Sequence, residues 1–503
     1  MKPLHAFATL ALLALVPGAA DAGGQVIVQV AQPLDHLHPI LHPDHPAMPL
    51  VFTGLFNLDA QDKIVPELSA TVPSADAGTM SMSGGNQVLT FRLRSALKWH
   101  DGRPITAHDA VFTWQVLKAQ AGGTQLPIRE AKALDNDRLQ LRVVPGTPMA
   151  SLLQFIIPRH PFRSPAEALD PKHPFWQQPA GSGPFRVIEW IPGKHLRVDA
   201  FKDYYRGRPA LDQIMVQFGR PLLPSMAKNV QVWTDIPLSW WPKLNPPAQP
   251  NARWRLAVTP QSLWEGLRFN LRGPLRDGAL RQALLRGIDR KKLATDVFGD
   301  AAILAEGVRP HGVPVAFAPS EAKRLWGREA VALRLIYPSG GVHAATAEGL
   351  VRQWQAMDVT VQADALSRDT YQATVMNGAF DIALSDRVMG RDDGLSAYHS
   401  QHTLPLGTNE SGLVDAKLDQ LLQAEVMAGG DSTKASRKAA VDARLTELAP
   451  GAALFFYPTW HAYRQDLVLD ATSPWGPTWR VYTWRRVVVD GTPPAKRTPP
   501  TAQ

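Results

Sequence analysis

The stretch FRLRSALKWHDGRPITAHDAVF, residues 91–112, decides how the rest of the chain is read. Its opening residues continue QVLTFRLR (87–94), where polar and apolar side chains alternate with the period of a half-buried strand. Asp101 and Gly102 then form a turn, and Thr106, a favoured helix N-cap type, opens AHDAVFTWQVLKAQ. Asp109 falls in the first helical turn, where the helix dipole favours an anion. Strand, turn and helix therefore follow one another without a gap. Toward the N-terminus, QVIVQV (25–30) alternates in the same way and runs into the Pro/His-rich segment 33–49. Toward the C-terminus, residues 138–144, 185–190 and 195–198 read as further strands of one mixed lobe. Gly181-Ser182-Gly183-Pro184 lacks the spacing of a phosphate loop and precedes a strand, so it reads as a turn.

Beyond about residue 270 the texture changes. Residues 276–289 form an amphipathic helix with Leu280, Ala283, Leu284 and Ile288 on one face, for which Asp277 is the expected cap. Strands at 333–337, 359–362 and 381–385 then alternate with helices at 346–357 and 371–377, which predicts a largely parallel α/β layer. Two more helices (415–428 and 433–448) and an apolar strand (453–457) complete the second lobe. The Pro-rich tail 491–503 is expected to be disordered.

The composition is that of a folded protein: 503 residues, 45% hydrophobic, 19% charged, net charge +8. Disorder needs fewer apolar residues and a higher charge density, and +8 over this length is no nucleic-acid footprint. With no cysteine there can be no disulfide, thiolate metal site, thiol nucleophile or lipid-modified cysteine. Residues 1–22 combine Lys2, a short apolar run, Pro17–Gly18 and small residues at 20 and 22. That is the pattern of a cleavable signal peptide, because about 11 apolar residues cannot cross a core that needs about 20. A free exported protein without a membrane anchor is expected. Neither GxxxxGK[ST], HExxH nor GxSxG occurs, so nothing points to an enzyme.

One cluster stands out by donor chemistry. His36, His38, His42 and His45 lie with Asp35 and Asp44 in a short run that could chelate a transition metal. The interspersed Pro39, Pro43 and Pro46 favour extended backbone, which aims successive side chains apart, so an exposed loop is expected and no metal is assigned. His399 and His402 form a looser pair read the same way.

Several blocks together resemble the family 5 extracellular solute-binding proteins, the peptide and nickel receptors of ABC importers. They are LFNLDAQDKIVPEL (55–68), residues 91–112 above, GSGPFRVIEW (181–190), GRPALDQI (207–214) and FNLRGPLRDGALRQALLRGID (269–289). The resemblance implies an α/β, two-lobe periplasmic binding protein fold of type II, large peptide-binding class, with an extra subdomain in the first lobe. The lobes are expected at 23–262 (subdomain about 50–180) and 263–464, with residues 465–490 returning to the first.

The implied function is capture of oligopeptides in the periplasm by lobe closure and delivery to an inner-membrane ABC permease. A monomer without cofactor or catalysis is implied, with a nickel or metal-chelate, opine or oligosaccharide receptor as the alternative. Residues 380–393 (FDIALSDRVMGRDD) match the segment that grips peptides in relatives. The expected ligand contacts are Asp392 or Asp393 for the amine, main-chain groups from Arg387 to Gly390, and Trp264 and Tyr337 on the cleft wall. The loop departs from the family by lacking a Trp there and carrying Asp386–Arg387 instead. YPSGGVH (337–343) lacks the Arg that clamps a dipeptide carboxylate, which favours longer peptides.

Overall fold

The computed structural model describes residues 23–59, 63–122, 126–145, 147, 149–219, 229–236, 254–327, 331–389, 394–404, 407–427, 431–469 and 477–487. The expected signal peptide and C-terminal tail lie outside these, as do Gly390, Asp392, Asp393, Trp240 and Trp241.

The chain begins with β1 (Gln25–Val30), whose alternate residues Val26, Val28 and Val30 enter the first core. After a hairpin of β2 (Phe56–Leu58) and β3 (Ile64–Pro66) comes a separate unit. Its four-stranded antiparallel sheet has the order β4-β5-β7-β6 (Met80–Ser83, Asn86–Arg92, Arg138–Val143, Ile128–Ala133). Helix α1 (Ala107–Gln120) packs on it, and Leu89, Phe91, Trp99, Leu139 and Leu141 form its own core. Thr106 stands at the N-cap, but the bonding runs the other way from a simple cap: the Asp109 carboxylate accepts both the N–H and the hydroxyl of Thr106.

The chain re-enters the first lobe at Gly181 and Gly183. A Cβ at either would fall within 1.9 and 2.5 Å of the Val51 backbone, so only glycine allows that approach. The strands β8 (Phe185–Ile191), β9 (His195–Ala200), β10 (Gln213–Phe218) and β11 (Val232–Ile236) follow. Parallel pairing of β1 with β10 and β11 closes the first core around Trp176, Phe185 and Leu211.

Two long strands, β12 (Trp254–Phe269) and β17 (Gly451–Arg464), cross from one lobe to the other and pair antiparallel along their length. Sequence reading missed the first and saw only a fragment of the second. Between them lies the second lobe. It holds α2 (Gly278–Arg286), α3 (Arg290–Phe298), β13 (Ile303–Leu304), α4 (Pro319–Trp326), β14 (Ala332–Pro338), α5 (Gly341–Gln355), β15 (Thr360–Leu366), α6 (Arg368–Met376), β16 (Ile382–Val388), α7 (Ala416–Val426) and α8 (Asp431–Leu448). The Asp277 side chain accepts the Ala279 N–H and caps α2 as expected. Strand β14 pairs parallel with β15 and β16, and a core around Leu267, Leu284, Trp354, Ile382 and Phe455 lies beneath. After β17, a short ribbon of β18 (Leu467–Val468) and β19 (Arg485–Arg486) and the buried Trp479 and Trp484 return to the first core.

The result is one continuous eleven-stranded sheet in the order β15-β14-β16-β12-β17-β11-β1-β10-β9-β8, with β13 on β17. Among the described residues no helix is long and apolar enough to cross a membrane.

Candidate functional site between the lobes

The registers determine where the two lobes face each other. Strand β11 pairs with β17 from Tyr463 to Trp460 as its own number rises, so its carboxyl end, and that of parallel β1, points toward the second lobe. Strand β16 pairs with β12 from Phe269 at Ile382 to Leu263 at Val388, so its carboxyl end points back toward the first lobe. Two sets of parallel strand ends thus oppose each other across the crossing strands. In open α/β sheets, that edge is where ligands bind.

The crossing itself is interrupted. Pro260 and Pro458 stand opposite each other, and neither has an N–H to give the ladder. The register then shifts, leaving residues 261–263 without partners on β17. The lobe division expected at 262/263 falls inside this interruption.

On the second-lobe side of the interruption lies a buried polar cluster that sequence reading did not find. Glu265 on β12 is fully buried. Its carboxylate accepts from His343 Nδ1 at 2.9 Å and from the Tyr457 hydroxyl at 2.8 Å. The other nitrogen of the same ring, Nε2, lies 3.3 Å from Asp386, which also receives Arg368 at 3.3 Å. Strand pairing sets Glu265 opposite Asp386, and His343 in the first turn of α5 bridges the two acids.

Burial alone would hold the His343 imidazole neutral, but hydrogen bonds to Asp386 and Glu265 outweigh it and raise its pKa to about 9. The same hydrogen bond, with Arg368 beside it, lowers Asp386 to about 2. Burial, and then the Glu265 charge, push the Tyr457 hydroxyl well up, so it stays a donor. At neutral pH the cluster therefore sets a protonated His343 beside an ionised Asp386, with Glu265 and Arg368 bonded to them. A lone acid inside the apolar run LWEGLRF was the available signal, since a charge in a buried strand demands a partner.

The residues expected from sequence fall in different places. Tyr337 sits near the carboxyl end of β14, half-buried against the second core. Arg387 lies in β16, its main chain paired with Trp264, while its buried guanidinium donates to Glu410 at 2.8 Å. Trp264 is fully buried with Ala305, Ala453 and Phe456, and the Arg268 guanidinium lies 5.5 Å from its ring centre, so it packs the crossing. Trp233 is likewise buried. Gly390, Asp392 and Asp393 lie outside the described residues.

The Pro/His-rich segment is corrected. Instead of an exposed loop, most of residues 34–50 is buried. His38 stacks on Trp176 at 4.0 Å and bonds the Ala168 carbonyl at 2.8 Å. His45 bonds the Gln32 carbonyl, and each of these two rings also accepts an amide two residues on. Burial lowers both to about 4, so they are neutral core histidines.

Comparison with known proteins places this geometry. The sequence pattern of "Bacterial extracellular solute-binding proteins, family 5 Middle" matches residues 63–403. SapA of Escherichia coli (strain K12), a probable ABC transporter periplasmic-binding protein, is 22% identical over 424 residues, 74% of this chain and 76% of that one. Among solved structures, the unliganded open form of the periplasmic murein tripeptide binding protein MppA superposes with a TM-score of 0.73 at 21% identity, covering 92% of this chain and 98% of the other. The oligopeptide-binding protein AppA from Bacillus subtilis with a nonapeptide gives 0.60 at 16% identity, covering 93% and 100%. At these identities the two structures speak for the fold alone.

Proposed function

Because the chain belongs to the family 5 bacterial extracellular solute-binding proteins, we propose that it captures peptides between its two lobes in the periplasm and hands them to the permease of an ABC importer. The observation that carries this reading is the opposition of two sets of strand ends across a doubly crossed, proline-interrupted connection. Such a connection lets the lobes rotate as bodies, and a ligand touching both walls favours the closed form by its differential contacts. Relatives named as putative ABC transporter peptide-binding proteins support peptide as the ligand class.

On this reading the segment after β16 reaches the ligand. Asp392 or Asp393 receives its ammonium group, and main-chain groups from Arg387 to Gly390 pair with its backbone in strand fashion. Tyr337 borders the same edge. The buried polar cluster behind it fixes the angle of β16 and α5 rather than supplying a free charge, since each member already has a partner. No step of chemistry on the ligand is required of the protein.

The test is direct. Purified protein is unfolded to release what it carries, the released molecules are identified by mass spectrometry, and synthetic peptides are titrated while thermal unfolding is followed. A peptide at 100 times its Kd should stabilise the fold by about 2.7 kcal/mol. Asp392→Asn together with Asp393→Asn should weaken binding of free-amine peptides at least tenfold while sparing amine-blocked ones. If peptides of every length leave the melting curve unmoved, the peptide reading fails. Unchanged affinity in the double variant removes these acids from the site.

A further inference from the structure

We infer that Asp35, His36 and His42 form a binding site for one divalent transition-metal ion on the first lobe, a property that goes beyond peptide capture. The three donors come together because the segment turns back on itself, with the His42 N–H bonded to the His38 carbonyl at 3.0 Å. Pro39 stands inside this turn and Pro43 directly after it, and burial of His38 and His45 pins it from within. Of the remaining donors, the exposed Asp35 carboxylate and the partly exposed His36 and His42 imidazoles come together, and Asp44 does not join them.

Their spacing is that of donors around one ion. A single oxygen, Asp35 Oδ1, lies 3.6 Å from His36 Nε2 and 3.3 Å from His42 Nε2. All three ligand atoms fall within 4.8 Å of one another. Ligands held at about 2.1 Å around a tetrahedral ion are separated by edges of roughly 3.4 Å, so two of the three edges are already at length. The two rings lie 4.4 Å apart with their planes 30° from parallel.

Among the described residues the other ring nitrogen of His36, Nδ1, is buried without a hydrogen-bond partner. Asp35 is mostly exposed, leaving that side of the site open to an arriving ion. Two nitrogens and one oxygen favour zinc, nickel, copper or cobalt over calcium or magnesium, which prefer oxygen donors throughout. Three protein ligands also leave coordination positions for water, or for a carboxylate or amine of a captured molecule. The segment follows β1 at the carboxyl end that points toward the second lobe, so such a molecule would come from the cleft side.

The experiment uses the untagged full chain and Zn²⁺ titrated against a chromophoric chelator, with Co²⁺ absorption reporting geometry. The expected result is one ion per chain, with no response to Ca²⁺ or Mg²⁺. His36→Ala, His42→Ala and Asp35→Asn should each weaken binding about tenfold or more. The control His195→Ala, far from the trio in sequence, should bind like the parent. Asp35 and His42 are exposed enough to be changed without unfolding, and circular dichroism confirms this for every variant. Stoichiometric binding that survives in the His36→Ala/His42→Ala protein overturns the proposal, as does absence of binding at 100 μM Zn²⁺. Peptide affinity measured on the same variants separates the two readings, because either site can fail while the other stands.

Discussion

His343 shows what a single residue contributes and how it can be checked. Its pKa is raised from 6.5 to about 9 in the fold, so its stabilising effect is complete below pH 6.5 and lost as pH climbs through 9. Asp386, lowered from 3.8 to about 2, acts in the opposite sense: its contribution is present above pH 3.8 and lost as pH falls through 2. Both are whole only between about pH 4 and 6.5. Urea unfolding should therefore show the parent protein losing up to roughly 3 kcal/mol from His343 between pH 6.5 and 9. His343→Gln should flatten that portion of the slope and, by leaving Glu265 buried beside a neutral amide, cost about 3 kcal/mol at pH 6.5. Equal pH slopes in the two proteins would show that the bridge is energetically idle. The residue was unread in YPSGGVH because its meaning depends on Glu265 and Asp386, brought up from distant strands. Asp277 was readable because its cap bond is local.

Elements were legible where their signals were local and hidden where function had interrupted them. Thr106 and Asp109 marked the start of α1 correctly, yet only the coordinates show that Asp109 holds the junction. Its carboxylate accepts the Thr106 N–H at 2.8 Å, the Thr106 hydroxyl at 3.0 Å and, from another segment, the Arg159 N–H at 2.9 Å. Thr106→Ala removes one of these donors and should cost about 1 kcal/mol, whereas Asp109→Ala strands all three and should cost about 3 kcal/mol. Denaturant unfolding that finds the two variants equal would disprove this ordering. The opposite case is β12. Pro260 inside WRLAVTPQSLWEGLRF argues against a central strand by ordinary rules, and Pro458 truncates the reading of β17 likewise. The two exceptions face each other, and that pairing, invisible along the sequence, takes two N–H donors out of the ribbon at one level.

At the scale of the whole molecule, the two lobes are separate cores joined by a ribbon that is weakest where it leaves one and enters the other. Two-lobe architecture could be anticipated from the resemblance and from the switch to alternating strands and helices near residue 270. The opposition of strand ends could not, because it depends on which way β11 and β16 run against the crossing strands. If closure is rotation about the proline pair, restoring the ladder there must oppose it. Pro260→Val with Pro458→Val returns two N–H groups to the ribbon and replaces rigid rings with residues that favour strands. The fold should keep most of its stability, since the partly buried Pro260 and the buried Pro458 are each replaced by an apolar side chain of similar size. Scattering should then show the parent contracting on binding its peptide while the double variant contracts less, and affinity should fall several-fold because bending the repaired ribbon draws on binding energy. A variant that binds and contracts like the parent would move the pivot away from the prolines, leaving residues 261–263, which have no ladder partner on β17, to carry the motion alone.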